Sequence, residues 1–186
     1  MRLLKAFLVG AGSLFIIITL FSLLIPFNVR VSRAVLINNA GIGEVYQQIA
    51  NFNNWKNWHP IFTKDSASLY WEKPQTAGKD SSCYILHRGQ KIVLSLLSAD
   101  SASVKFLLQS PGENDIKNEL HLTSFPSSQS VQVEWRAITK LHWYPWEKFY
   151  GIFIDKLSGP GYEDALNGLK EYIERSSSLP KQEPHR

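Results

Sequence analysis

The chain carries five histidines and one cysteine, the residue types most often recruited for metal binding or nucleophilic attack. Their spacing builds neither site. His59, His87, His121, His142 and His185 never fall at H-E-x-x-H spacing, and Cys83 has no second cysteine to pair with. Cys83 and His87 share a strand face four residues apart, which separates them by about 13 Å, too far to bind one ion together. His121 alternates with Lys117 and Glu119 on a polar face that meets water. No metal and no cofactor is expected. G-x-S-x-G, Walker and GxGxxG patterns are missing too, and Gly41-x-Gly43 is too short to cradle a phosphate. Asp155, Glu119, His87 and Tyr84 are the acid–base candidates. No spacing brings two of them together, and geometry has to precede a catalytic assignment. Asp155 and Lys156 are adjacent charges inside an apolar stretch. They read as a local pair or as solvated positions worth about 0–1 kcal/mol if exposed. The sharper alternatives are orienting a ligand or bridging two helical pieces.

Aromatic side chains, 12% of the chain, are numerous enough either to fill a core or to wall a cavity. Trp55, Trp58, Pro60 and Phe62 form one cluster, read equally well as a lid over a pocket mouth or as core. The run His142-Trp143-Tyr144-Pro145-Trp146, with Phe149 and Tyr150 after it, is the densest. It suits a cavity wall, a bilayer interface, or a helix start at Pro145 whose rings pack on a sheet.

The elements that position these residues follow from periodicity. Residues 29 to 37 alternate, with Val29, Val31, Val35 and Ile37 on one face and only Arg33 breaking the pattern. Ile42, Val45, Tyr46 and Ile49 recur at helical spacing, and NFNNWKNWHPIF (51 to 62) reads as a short helix and a turn. From Ala67 to Ile138 the chain alternates as strands do. Ile92, Leu94 and Leu96 share a face, as do Val104, Phe106 and Leu108, then Ile116, Leu120 and Leu122, then Val131, Val133, Trp135 and Ala137. Breaks at Pro74 to Lys79, Arg88 to Gln90, Pro111 to Asp115 and Pro126 to Gln129 are hairpin-sized, so an antiparallel sheet with one covered face is expected. The period then becomes helical, with Phe149, Ile152, Phe153 and Leu157 in one stripe and Tyr162, Ala165, Leu166, Leu169, Tyr172 and Ile173 in another. Gly159-Pro160-Gly161 between them predicts a kinked or two-part helix lying on the covered face. The fold class is therefore α+β.

Ala6 to Phe27 carries no charge. At about 1.5 Å of rise per residue it spans about 33 Å, against a hydrocarbon core of about 30 Å. Its apolar run exceeds a signal peptide's and its exit offers no A-x-A-like site, so an uncleaved anchor is expected. Arg2 and Lys5 on one side against Arg30 and Arg33 on the other give a slight bias, which favours an extracytoplasmic domain. The expected division is an anchor over 1–28, one domain over 29–176, and a disordered polar tail over 177–186. The net charge of +4 and pI near 9.1 come from scattered lysines and arginines with no nucleic-acid motif, so nucleic acid is not an expected partner.

The strand VSRAVLIN, the helix GEVYQQIANFNNW, the Trp55-x-x-Trp58-x-Pro60 cluster and the ending GIFIDKLSGPGYEDALNGLK together resemble the START-like (SRPBCC) superfamily. More narrowly they resemble its bacterial polyketide cyclase/dehydrase-like branch, many of whose members begin with a membrane-spanning helix. The most specific part is Gly151 to Lys170, similar to a Gly-aromatic-hydrophobic-Asp-Lys-hydrophobic-x-Gly-Pro pattern before the last helix. The chain departs from the pattern at Asn39-Ala40-Gly41-Ile42-Gly43, where many relatives have a proline. It departs again at Asn118-Glu119-Leu120-His121-Leu122, where many have a Gly- and Thr-rich strand. The resemblance implies a helix-grip fold, a curved antiparallel sheet wrapped around a long C-terminal helix with a hydrophobic cavity between them. It also implies a hydrophobic small molecule or lipid as ligand. Strand parity and helix phase offer Trp58, Trp71, Tyr84, Trp135, Phe149 and Phe153 as inward candidates. A cyclase, dehydratase or isomerase using the same cavity, and a filled-core interaction module, stand as alternatives.

Overall fold

The computed structural model describes residues 1–73 and 81–178. Helix α1 (Arg2–Ser22) leads through a short linker into strand β1 (Asn28–Asn38). Then come α2 (Ile42–Ala50), a 3₁₀ segment (Phe52–Asn57) and the single turn α3 (Pro60–Thr63). Strands β2 (Ser68–Lys73), β3 (Ser82–His87), β4 (Gln90–Asp100), β5 (Ser103–Gln109), β6 (Ile116–Phe125) and β7 (Ser130–Lys140) follow, and α4 (Pro145–Ser178) closes the chain. All neighbours pair antiparallel in the order β1-β7-β6-β5-β4-β3-β2, so the first strand docks beside the last. The fold is the α+β helix-grip architecture.

Alternation becomes burial where expected. Val131, Val133, Trp135 and Ala137 on β7 are buried, as are Val104 and Phe106 on β5 and Leu120 and Leu122 on β6. The β3–β4 hairpin turns through Arg88 and Gly89 with φ of 50° and 78°, the left-handed pair that a two-residue turn needs. Between β4 and β5 no Gly or Pro marks the turn. Asp100 closes it, accepting the Ala102 and Ser103 amides at 3.0 and 2.8 Å. The break anticipated at Pro74 to Lys79 lies outside the described residues, as does 179–186 of the anticipated tail. Two boundaries move: α1 ends at Ser22 rather than at Phe27, and α4 reaches Ser178.

The anticipated interruption at Gly159-Pro160-Gly161 is corrected, because α4 runs through Pro160 as one helix. A proline withdraws a single backbone donor, and tertiary packing on both sides outweighs that loss. On the C-terminal side Ala165, Leu166, Leu169 and Ile173 are buried in the core. On the N-terminal side the helix is seated by small residues. A Cβ on Gly151 would lie 2.3 Å from Leu141 Cδ1, and one on Gly159 would lie 2.1 Å from Arg33 Nη2. Asp155, between them on the same face, accepts two hydrogen bonds from the Arg33 guanidinium at 2.9 and 3.1 Å. The one residue that broke β1's apolar pattern is thus the residue that grips α4.

Candidate functional site

Three of the six expected cavity residues, Trp58, Trp71 and Trp135, face inward and pack in the interior, and two also edge surface clefts, Trp71 one of about 630 Å³ beside α2 and Trp58 one of about 370 Å³ beside α3 and α4. The 3₁₀ segment drives its aromatics onto the sheet. Trp55 packs edge-on against Phe106 and Trp135 at 5.3 and 5.8 Å, and Phe52 against Trp55 at 5.0 Å. Trp58 is buried beside them, its indole donating to the Gln48 carbonyl at 3.2 Å. Trp135 donates to Asn118 Oδ1 at 3.0 Å, so the departure at Asn118 from a Gly/Thr-rich strand supplies the partner for a buried indole. Trp71 stacks over Phe52 and donates to Asn53 at 3.0 Å. Of the two readings of the Trp55–Phe62 cluster, the structure supports core for Trp55 and Trp58.

The other three face away from the interior, which corrects the expectation. Tyr84 lies on the sheet's outer face, stacked on Tyr70 at 5.2 Å with the Lys91 amine 4.4 Å above its ring, while its neighbours Cys83 and Ile85 are buried. Phe149 and Phe153 are exposed. The helix turns about 100° per residue, so the Gly151–Asp155–Gly159 face against β1 leaves Phe153 about 160° away. The apolar stripe faces solvent, and the buried face of this half of α4 is written in glycine.

A further cleft opens between the first half of α4 and the adjoining ends of β6 and β7. This cleft of about 570 Å³ is lined by Ile116, Thr139, Leu141, Tyr150 and Ile154, with Ser158 further along α4. A small recess of about 30 Å³ shares Ile116, Thr139, Ile154 and Ser158 and reaches Val31, Ala137 and Tyr162. Its wall joins the aromatic core, since Trp135 meets the Tyr162 ring at 5.1 Å. None of the six expected residues lines the cleft or its recess. The aromatic run offered above as a possible cavity wall does line the cleft, through His142, Tyr144, Trp146 and Tyr150, whereas Ile116, Thr139, Leu141 and Ile154 were missed because they come from separated segments.

Polar groups in the cleft sit at its two ends. At the mouth, Glu147 accepts from the His142 amide at 3.0 Å and from the Asn114 side chain, with the His142 ring 3.0 Å from its other oxygen. Burial pushes the Glu147 carboxyl up, but those hydrogen bonds and the nearby imidazole outweigh it and hold the group below the usual carboxylate range. At the inner end, burial pushes the Tyr162 hydroxyl up to about 12, so it is neutral near pH 7. An ionised, fully engaged carboxylate and a neutral phenol at opposite ends form no acid–base pair. His59, half-buried against the Trp55 and Trp135 rings, has its pKa pushed down to about 4 by burial and stays neutral near pH 7. Cys83 is buried with its thiol pushed up to about 12, again by burial first. Among the described residues no three His, Cys, Asp or Glu side chains converge as a metal would require.

No family model and no curated protein matches the sequence. The fold has close counterparts among solved structures. A START superfamily protein from Mycobacterium smegmatis superposes with a TM-score of 0.63 at 14% identity, over 80% of this chain and 99% of the other. XoxI from Bacillus cereus gives 0.58 at 15% identity, over 81% and 99%. DynU16, from the dynemicin biosynthetic locus, gives 0.56 at 15% identity, over 79% of this chain and 48% of its own. At such identities the likeness defines the fold: a START-like helix-grip domain behind an apolar N-terminal helix.

Proposed function

We propose that this chain is a membrane-tethered START-like domain that holds a hydrophobic small molecule or a lipid chain in the cleft under the first half of α4. The START-like fold supports a ligand-binding or cyclase-type domain. The observation that carries the binding reading is the cleft itself, which sets Ile116, Leu141 and Ile154 beside Tyr144, Trp146 and Tyr150 among a few polar groups and adjoins the recess that Tyr162 lines. The tether rests on α1, the one helix among the described residues long and apolar enough to cross a bilayer, with a mean hydropathy of 2.2 over its most apolar window and none of that window buried. An extracytoplasmic domain remains the orientation favoured by the flanking charges. The separated polar groups favour binding over catalysis. The aromatic filling of the other half of the interior favours a second reading, an interaction module that needs no ligand.

The test uses the full chain in lipid nanodiscs with a diazirine-bearing palmitic acid, crosslinked and mapped by peptide mass spectrometry. Labelling at Ile154, Ser158 or Thr139 is expected, and Ile154→Trp, which puts an indole into the cleft, should abolish it. Labelling confined to α1 and the exposed side of α4, unchanged in Ile154→Trp, would sink the binding reading and leave the interaction module.

A further inference from the structure

The exposed aromatic face of α4 has no partner in the fold. Trp146, Phe149, Tyr150, Phe153 and Leu157 recur at i, i+3, i+4, i+7 and i+11, opposite the glycine face that seats the helix. Trp146, Phe153 and Leu157 are 65%, 55% and 58% exposed, and Trp143 before the helix is 60% exposed. At about 150–250 Å² per large aromatic, the patch offers several hundred Å² of apolar surface, above what a monomer leaves bare without use.

Its position relative to α1 says what covers it. Lys148, one turn into α4 and almost wholly buried, donates to the Ile25 carbonyl at 2.6 Å and lies 3.2 Å from the Phe27 ring centroid. α1 and α4 are also in direct contact. The linker leaving α1 is therefore clamped to the first turns of α4 on the seated face, so the end of α1 lies one helix diameter, roughly 10 Å, from the exposed patch. Trp and Tyr are the residues that sit well at a bilayer's headgroup level.

We infer that the Trp146–Leu157 face of α4 lies on the bilayer that α1 crosses, as a second, peripheral membrane contact that turns the cleft mouth, shared through Trp146 and Tyr150, toward lipid. This rests on the tethered reading above. Any amphiphile taken up then comes sideways from the bilayer rather than from water.

The experiment places one environment-sensitive NBD label at a time on the full chain in liposomes whose lipids carry nitroxide quenchers at graded depths. Labels go on Phe15→Cys in α1, on Phe153→Cys and Leu157→Cys in the patch, and on Phe125→Cys at the opposite end of the sheet, all exposed positions. Native Cys83 is buried and takes no label. The expected result is deep quenching at 15, quenching about 5–10 Å below headgroup level at 153 and 157, and none at 125. Quenching at 15 with solvent-like emission at 153 and 157 overturns the inference and spares the tether. Blue-shifted but unquenched labels at 153 and 157 assign the patch to a protein partner and also overturn it. An unquenched label at 15 removes the tether and the inference together.

Discussion

Acidification from pH 7 to pH 4 is expected to cost this domain about 3 kcal/mol through a single ring. The His59 imidazole lies flat on Trp55, with centroids 5.4 Å apart and planes 1° from parallel, and Trp135 stands edge-on at 6.0 Å. Its Nδ1 accepts the Ile61 amide at 3.3 Å and caps α3. A proton on Nδ1 removes the lone pair that makes this bond and places a charge among aromatic walls. Burial accordingly lowers its pKa from 6.5 to about 4. Between those values the unfolded chain binds a proton that the native state refuses, so stability falls as pH falls through this window. The gap, at about 1.36 kcal/mol per pH unit, gives the figure of about 3 kcal/mol. The assay is urea unfolding of the full chain in micelles, followed by tryptophan fluorescence from pH 7.5 to pH 4, with His59→Phe in parallel. Carboxylates common to both proteins cancel in the difference. The wild-type stability should drop relative to the variant by about 3 kcal/mol. A difference flat to within about 1 kcal/mol would mean that the ring titrates freely in the native state, and the burial argument would be wrong.

Four further substitutions test the aromatic core and the seating of α4. Asn118→Ala should cost about 1–3 kcal/mol by stranding the buried Trp135 indole N–H. A double variant with Trp135→Phe should recover part of that cost in a double-mutant cycle of urea unfolding. Gly168→Ala should destabilise by about 1–3 kcal/mol despite better helix propensity, because its Cβ would meet the Trp58 carbonyl oxygen at 2.3 Å. Gly161→Ala meets nothing within 4 Å and should gain up to about 1 kcal/mol, so reversed melting shifts would refute the seating of α4. Asp155→Asn should destabilise only slightly, because the Arg33–Asp155 pair is open to solvent, and high salt should erase the difference.

The sheet was readable because alternation has a single interpretation when one face is apolar and the other charged, as on β7. Arg33 stood out for the same reason, but its partner Asp155 lies 122 residues away and no local pattern announces it. Where both parities are apolar the reading failed. On β3, Cys83 and Ile85 compete with Tyr84 and Leu86, and only pairing with β2 and β4 decides which set faces in. On α4 the second apolar stripe, Ala165 to Ile173, is buried as its spacing implies, but over the first half hydrophobicity pointed the wrong way, since close backbone approach requires glycine and left the bulky residues outside. The Gly151–Pro160 pattern that carried the family resemblance therefore turns out to be about how α4 sits on β1. Of the cleft only the aromatic side, His142 to Tyr150, was legible, because the rest exists only between segments brought together by the fold.

The joint between α1 and the domain limits what the protein can reach. Leu23 to Phe27 would stretch to at most about 18 Å as a free leash, yet it has almost no slack. Ile25 is held by Lys148, and the Phe27 carbonyl accepts the Leu141 amide at 2.7 Å. With α1 in a bilayer, the domain cannot swing out like a bucket on a rope or ferry cargo across an aqueous gap to a second membrane. On the proposed reading, a ligand in the cleft would be exchanged within the lipid neighbourhood of the anchor, or handed to a partner that comes to it. The search is then two-dimensional, and lateral diffusion of the whole molecule sets its range.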